Sequence, residues 1–86
     1  MYSKVWHCKN SMDKPSLEEA QKFVDGNVEL LRCGELQLLI NEEGMYRADL
    51  SVNETATQMA MNANYAVPRH GIVGNVIILE GSACWE

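Results

Sequence analysis

The sequence predicts an α+β fold: a small, mainly antiparallel sheet of four to five strands with two helices packed on one face. Three observations predict it. Short apolar runs are bounded by Gly-, Asn- and Glu-rich turns. Two segments carry helix-start signals. Their order along the chain is strand, helix, two or three strands, helix, strand, an alternation that suits helices laid on a sheet. The 86 residues, 47% hydrophobic and 22% charged, fit one domain over 1–86. A chain of this length buries only about 60–65% of its unfolded surface, so its core is modest and a deep cleft would consume it.

Lys4 to Cys8 reads as a short strand, with Val5 and His7 on one face and Trp6 and Cys8 on the other. A polar loop leads to Pro15 and then to Ser16-Leu17-Glu18-Glu19, which has the spacing of a capping box. Leu17, Ala20, Phe23 and Val24 follow at helical spacing, and Gly26 is placed to stop the helix. Asn27 to Arg32 and Glu35 to Asn41 are two strands joined by a tight turn at Cys33-Gly34. Their apolar centres are too continuous for a half-exposed sheet, so at least one lies centrally. Glu42-Glu43-Gly44 reverses the chain, and Met45 to Ala48 is expected to return as a further short strand. Asn53 caps a second helix, whose Ala56, Met59, Ala60 and Ala63 form a narrow face of small side chains. Residues 64–71 form a loop, the stretch 72–79 includes the most apolar strand, and 82–86 is a short tail that Trp85 is expected to dock.

The formal net charge is −5, from 12 acidic and 7 basic residues. The Lys and Arg residues are scattered singly, whereas binding to a phosphate backbone needs them clustered. Direct nucleic-acid binding is therefore not expected. An acidic surface suits a partner with a basic one. Three cysteines, far apart and without a C-x-x-C, point to reduced thiols in a cytoplasmic setting. No apolar run approaches the ~20 residues of a membrane helix, and the first residues lack the apolar core of a signal peptide.

Several short motifs run through the middle of the chain: Val28-Glu29, Asn41-Glu42-Glu43-Gly44, Asn53-x-x-Ala56 and Gly74-Asn75-Val76. Over about residues 17–81 this pattern resembles an uncharacterised small domain family of bacteriophages and of conjugative or integrated mobile elements. The resemblance implies no catalytic residues. It implies a small accessory protein working in the host cytoplasm, of the kind that binds a host protein and in some cases blocks a defence system. The strand around Trp6 and the tail lie outside the matched pattern.

Candidate chemistry is sparse. Glu42 and Glu43, beside Glu29 and Glu35, could pair as an acid and a base or hold a hard cation. They lack the converging oxygen ligands of a calcium loop, and a solvated hairpin turn in which Asn41 bonds its own backbone accounts for them better. His7, Cys8, Cys33, His70 and Cys84 would suffice for zinc by composition. Neighbouring His7 and Cys8 point to opposite faces of a strand, so structural cysteines are the simpler reading. Gly71-Ile72-Val73-Gly74-Asn75 leads into a strand rather than a helix, which removes the dipole argument for a phosphate loop.

The expectation is a non-enzymatic protein that binds, and inhibits or redirects, a host protein with a basic surface. Glu42 and Glu43 would supply the acidic rim, and Tyr65, Arg69, His70 and Trp85 the loop and aromatic contacts. No cofactor, metal or membrane is expected. An apolar strand at a sheet edge invites homo-oligomerisation. The alternative is a ligand-sequestering module that captures a nucleotide-like molecule in an oligomeric pocket, drawing on Arg32, Arg47 and Arg69.

Overall fold

Two segments of this chain, Leu36–Asn41 and Val76–Leu79, are buried or half-buried at every position and carry consecutive apolar residues. Successive strand residues point to opposite faces, so such strands need cover on both. The computed structural model describes residues 3–85; Met1, Tyr2 and Glu86, which the single-domain and tail expectations included, lie outside them. In chain order the elements are β1 (Val5–Cys8), α1 (Leu17–Val24), β2 (Val28–Cys33), β3 (Leu36–Asn41), α2 (Glu54–Asn62) and β4 (Val76–Leu79), with 3₁₀ turns at Gly44–Tyr46 and Gly81–Ala83. The sheet order is β1-β4-β3-β2. β1 runs parallel to β4, while β4–β3 and β3–β2 are antiparallel. The α+β class is therefore as the sequence predicts, with a mixed sheet of four strands.

The helices do not share a face. Ala56 and Ala60 of α2 pack with Leu38, Val76 and Ile78 on one side. Ala20 of α1 packs with Leu39, Ile77 and Leu79 on the other, joined by Trp6, Phe23 and Trp85. This corrects the one-face expectation. Leu38 and Leu39, like Ile77 and Ile78, point opposite ways, and all four are fully buried. One covered face would have left half of them in water, at about 1.5–3 kcal/mol per large side chain.

Local chemistry sets the element ends. Ser16 accepts from Glu19 N–H while the Glu19 carboxylate accepts from Ser16 N–H, completing the capping box. At the other end of α1, Asp25 (φ 62°) takes the left-handed cap position expected of Gly26. α2 ends in a Schellman motif: Asn64 (φ 62°) donates to Met61 O, and Tyr65 N–H to Ala60 O. Met45–Ala48 is not a strand. The chain instead makes the 3₁₀ turn Gly44–Tyr46, seated so closely on Val73 that a Cβ at Gly44 would lie 2.9 Å from its methyl. Arg47 then bonds both Asp25 and Asp49, which holds this connection against the end of α1.

Three asparagines tie the layers together. Asn41 Nδ2 donates to Val24 O and Asp25 O, and its Oδ1 accepts from Glu43 N–H. Asn53 accepts from Ala56 N–H as N-cap and donates to Lys4 O and Gly74 O. Asn75 accepts from Lys4 N–H and donates to Phe23 O. Among the described residues, no buried side-chain nitrogen or oxygen lacks a partner, as the cost of an unmade buried hydrogen bond requires. Among them, too, no helix is long and apolar enough to cross a membrane.

Candidate partner-binding site

A hollow of ≈240 Å³ lies on the α2 side of the sheet. Its floor is apolar and comes from the paired ends of β2 and β3, through Leu31 and Ile40, together with Ile72. Glu29 stands directly opposite Ile40 in the register, so it rises from the floor's edge. Glu42 closes one end, and Tyr65, Pro68 and His70 form the facing wall.

That wall is fixed by the fold. The Schellman motif at the end of α2 delivers Tyr65 to the core boundary, where it packs against the Leu38–Ile78 cluster. The loop turns back through Gly71 N–H donating to Pro68 O. Gly71 sits at φ 79°, where any other residue is strained, and a Cβ there would crowd Val52 at 3.1 Å and Thr57 Oγ1 at 3.3 Å. Beyond it, Ile72 N–H donates to Thr57 Oγ1 and Asn53 N–H to Ile72 O.

The electrostatics are one-sided. Glu29, Glu42 and Glu43 are exposed, and none of the ion pairs among the described residues involves them. Arg47 does not offset them. Its guanidinium is shared between Asp49 and Asp25, which raises its pKa further and pulls the Asp49 carboxyl below its ordinary value.

The expected contact residues thus divide. Glu42, Tyr65 and His70 come together on the hollow. Arg69 lies on the other flank of the loop, on an open surface shared with His70, Glu54 and Gln58 of α2. Glu43 points to solvent beside the rim, its backbone N–H engaged by Asn41. Trp85 is on the opposite face of the sheet. It is half-buried, with Nε1 donating to Pro15 O and its backbone held by Gln37. The sequence reading missed Leu31, Ile40 and Pro68 as lining residues. The hairpin register could have found the first two, since it sets Glu29 against Ile40 and Leu31 against Leu38.

The two buried cysteines are apart. Cys8 is buried on the α1 side and Cys33 on the α2 side, and burial pushes both thiols up. Among the described residues, no three His, Cys, Asp or Glu side chains converge to hold a metal ion. Set against protein-family models, curated proteins and solved structures, the chain matches none of them.

Proposed function

We propose that this is a non-enzymatic binding protein that engages a protein partner through the hollow between β2, the Glu42 turn and the 64–71 loop. The observation that supports it is the convergence of Glu29, Glu42, Tyr65 and His70, from distant parts of the chain, around one apolar floor. An apolar seat ringed by unneutralised carboxylates suits a segment that offers an aliphatic side chain beside Lys or Arg. Charge of that kind steers encounter and selects the partner, while the buried contact supplies affinity. The resemblance to a phage and mobile-element domain family supplies the setting: an accessory protein acting on a basic surface of a host protein, to inhibit or redirect it.

Capture of a nucleotide-like ligand fits less well. Arg32 stands on the edge strand, Arg47 is engaged by two aspartates, and Arg69 lies off the hollow.

The test is affinity capture from host lysate with the wild-type protein and with the double variant Glu29→Lys, Glu42→Lys. The reading expects one protein retained at near-equal stoichiometry by the wild type and lost from the folded variant. A retained nucleotide with no retained protein would move the function to ligand capture.

A further inference from the structure

The hollow has an unusual neighbour in the edge of the sheet. β2 is the outermost strand, and its pairing with β3 runs without a bulge from Val28↔Asn41 to Cys33↔Leu36. Glu42 N–H donates to Asn27 O. Antiparallel ladders alternate, so Asn27, Glu29, Leu31 and Cys33 spend their backbone groups on β3, while Val28, Leu30 and Arg32 aim theirs outward. Natural edge strands are commonly blunted by Pro, by charged side chains, by a bulge or by brevity. β2 has six residues, no Pro and no bulge, and its two charges, Glu29 and Arg32, stand on opposite faces and leave the outward backbone groups of Val28, Leu30 and Arg32 open to a strand.

We propose that the partner adds an extended segment to the free edge of β2 as a further strand. Its side chains on the hollow's face would be an aliphatic residue seated against Leu31 and Tyr65 and a Lys or Arg meeting Glu29 and Glu42. This rests on the binding reading above and specifies its mode. The two features sit at the right spacing: a strand on this edge brings its side chains about 4.5–5.5 Å from those of Glu29 and Leu31, on the same face as the hollow. Main-chain bonds give such a complex its affinity and the side-chain seats its selectivity.

A second copy of the chain fits this edge less well than a basic segment does. Directly opposed residues in an antiparallel pair are both hydrogen-bonded or both not, so in a two-fold β2–β2 pairing they share parity. Glu29 and Arg32 differ in parity and cannot be set opposite each other. Self-pairing would therefore bring together two chains of net charge −5 and leave Glu29 without a counter-charge.

The probe is the blocked peptide Thr-Lys-Thr-Leu-Thr-Lys-Thr, which presents Lys, Leu and Lys on one face when extended, titrated into ¹⁵N-labelled protein. Expected are shifts at the amides of Val28, Leu30 and Arg32 together with Tyr65 and His70, slowed hydrogen exchange at the three outward amides, and affinity that falls with salt. The same peptide with Glu for Lys should bind at least about tenfold more weakly. Leu30→Pro removes an outward donor and no ladder bond, and it should abolish binding. An N-methylated peptide that cannot donate to the edge should fail in the same way with wild-type protein, which covers the case of a misfolded variant.

Binding that survives both blocks, with shifts confined to the hollow, would overturn strand addition and leave the binding reading intact. So would no binding at millimolar peptide when lysate capture still retains a partner. Failure of both experiments would overturn the binding reading as well. A dimer in sedimentation that Leu30→Pro dissociates would assign the edge to a second copy.

Discussion

Gln37 and Trp85 hold each other by a two-way hydrogen bond: Gln37 Nε2 donates to Trp85 O at 2.7 Å, and Trp85 N–H donates to Gln37 Oε1 at 2.6 Å. A side-chain amide thereby pairs with a stretch of backbone much as a neighbouring strand would. It fastens the end of the described chain to the central strand β3, and the Trp85 ring packs into the α1-side core rather than waiting at the surface. Gln37 is only 6% exposed. Gln37→Leu should therefore cost about 1–3 kcal/mol by orphaning both Trp85 groups. Urea unfolding measures the loss, and tryptophan emission should shift to the red as Trp85 is released.

Asn41 gives a sharper contrast. Asn41→Ala removes two donations to α1 carbonyls and the acceptor for Glu43 N–H, with an expected loss of about 2–3 kcal/mol. Asn41→Asp keeps the acceptor but sets a carboxylate oxygen against the Val24 and Asp25 carbonyls. It should be less stable than the alanine variant at neutral pH and recover part of the difference in acid. Denaturation of the two variants at both pH values checks this.

Acid should weaken the fold in a traceable way. Bonds from the Ser16 backbone and hydroxyl hold the Glu19 carboxyl below its ordinary value, and the Arg47 guanidinium does so for Asp49. For both groups the unfolded chain takes up the proton first. Their contribution is thus complete above the ordinary carboxylate range of about 4 and is lost as pH falls through the lowered folded values. Glu19→Gln retains an acceptor for Ser16 N–H but no longer titrates. Its acid limb should be shallower than that of the wild type, because the variant already lacks the carboxylate's contribution at neutral pH and the two should converge in acid, in urea midpoints measured across the range.

The thiols of Cys8 and Cys33 should be nearly inert. Both side chains are buried at 0–1% exposure, and burial raises their pKa values, so little thiolate forms at neutral pH. Alkylation by iodoacetamide should proceed at these two positions only as fast as the chain opens, and mass mapping in native buffer and in urea compares the two rates. Rapid native modification of Cys33 would show that the β2 edge opens on its own.

What could be read in the sequence was local. Ser16 and Glu19 are three residues apart, as are Asn53 and Ala56, and both caps form as their spacing indicates. Asn41 does bond its own turn through Glu43 N–H, but its larger task lies with the end of α1, and no local spacing points there. The need for cover on both faces of the sheet was written in Leu38-Leu39 and Ile77-Ile78, since consecutive strand residues point opposite ways. Met45 to Ala48 was misread because strand propensity is weaker than the packing of Gly44 on Val73 and the anchoring of Arg47. Half of the expected contact set, Glu42, Tyr65 and His70, meets at the hollow because the β2–β3 register and the turn after α2 place it there. The asparagines of the three motif segments, Asn41, Asn53 and Asn75, turn out to be internal fasteners. Those three side chains therefore serve the architecture rather than contact with a partner.

β4, buried along its whole length, is also the strand on which β1 must wait. Lys4 bonds Asn75, 71 positions on, and no part of β1 pairs with anything made earlier. During synthesis at about 5–20 residues per second, β1 is made well before its neighbour β4 exists. The hairpin β2–β3 can close at once, but both layers stay incomplete until β4 has been made. Final assembly is then dominated by long-range closure, a topology that folds slowly for its size. Until it happens, Trp6 and the apolar side chains of β3 are open to chaperones and to other nascent chains.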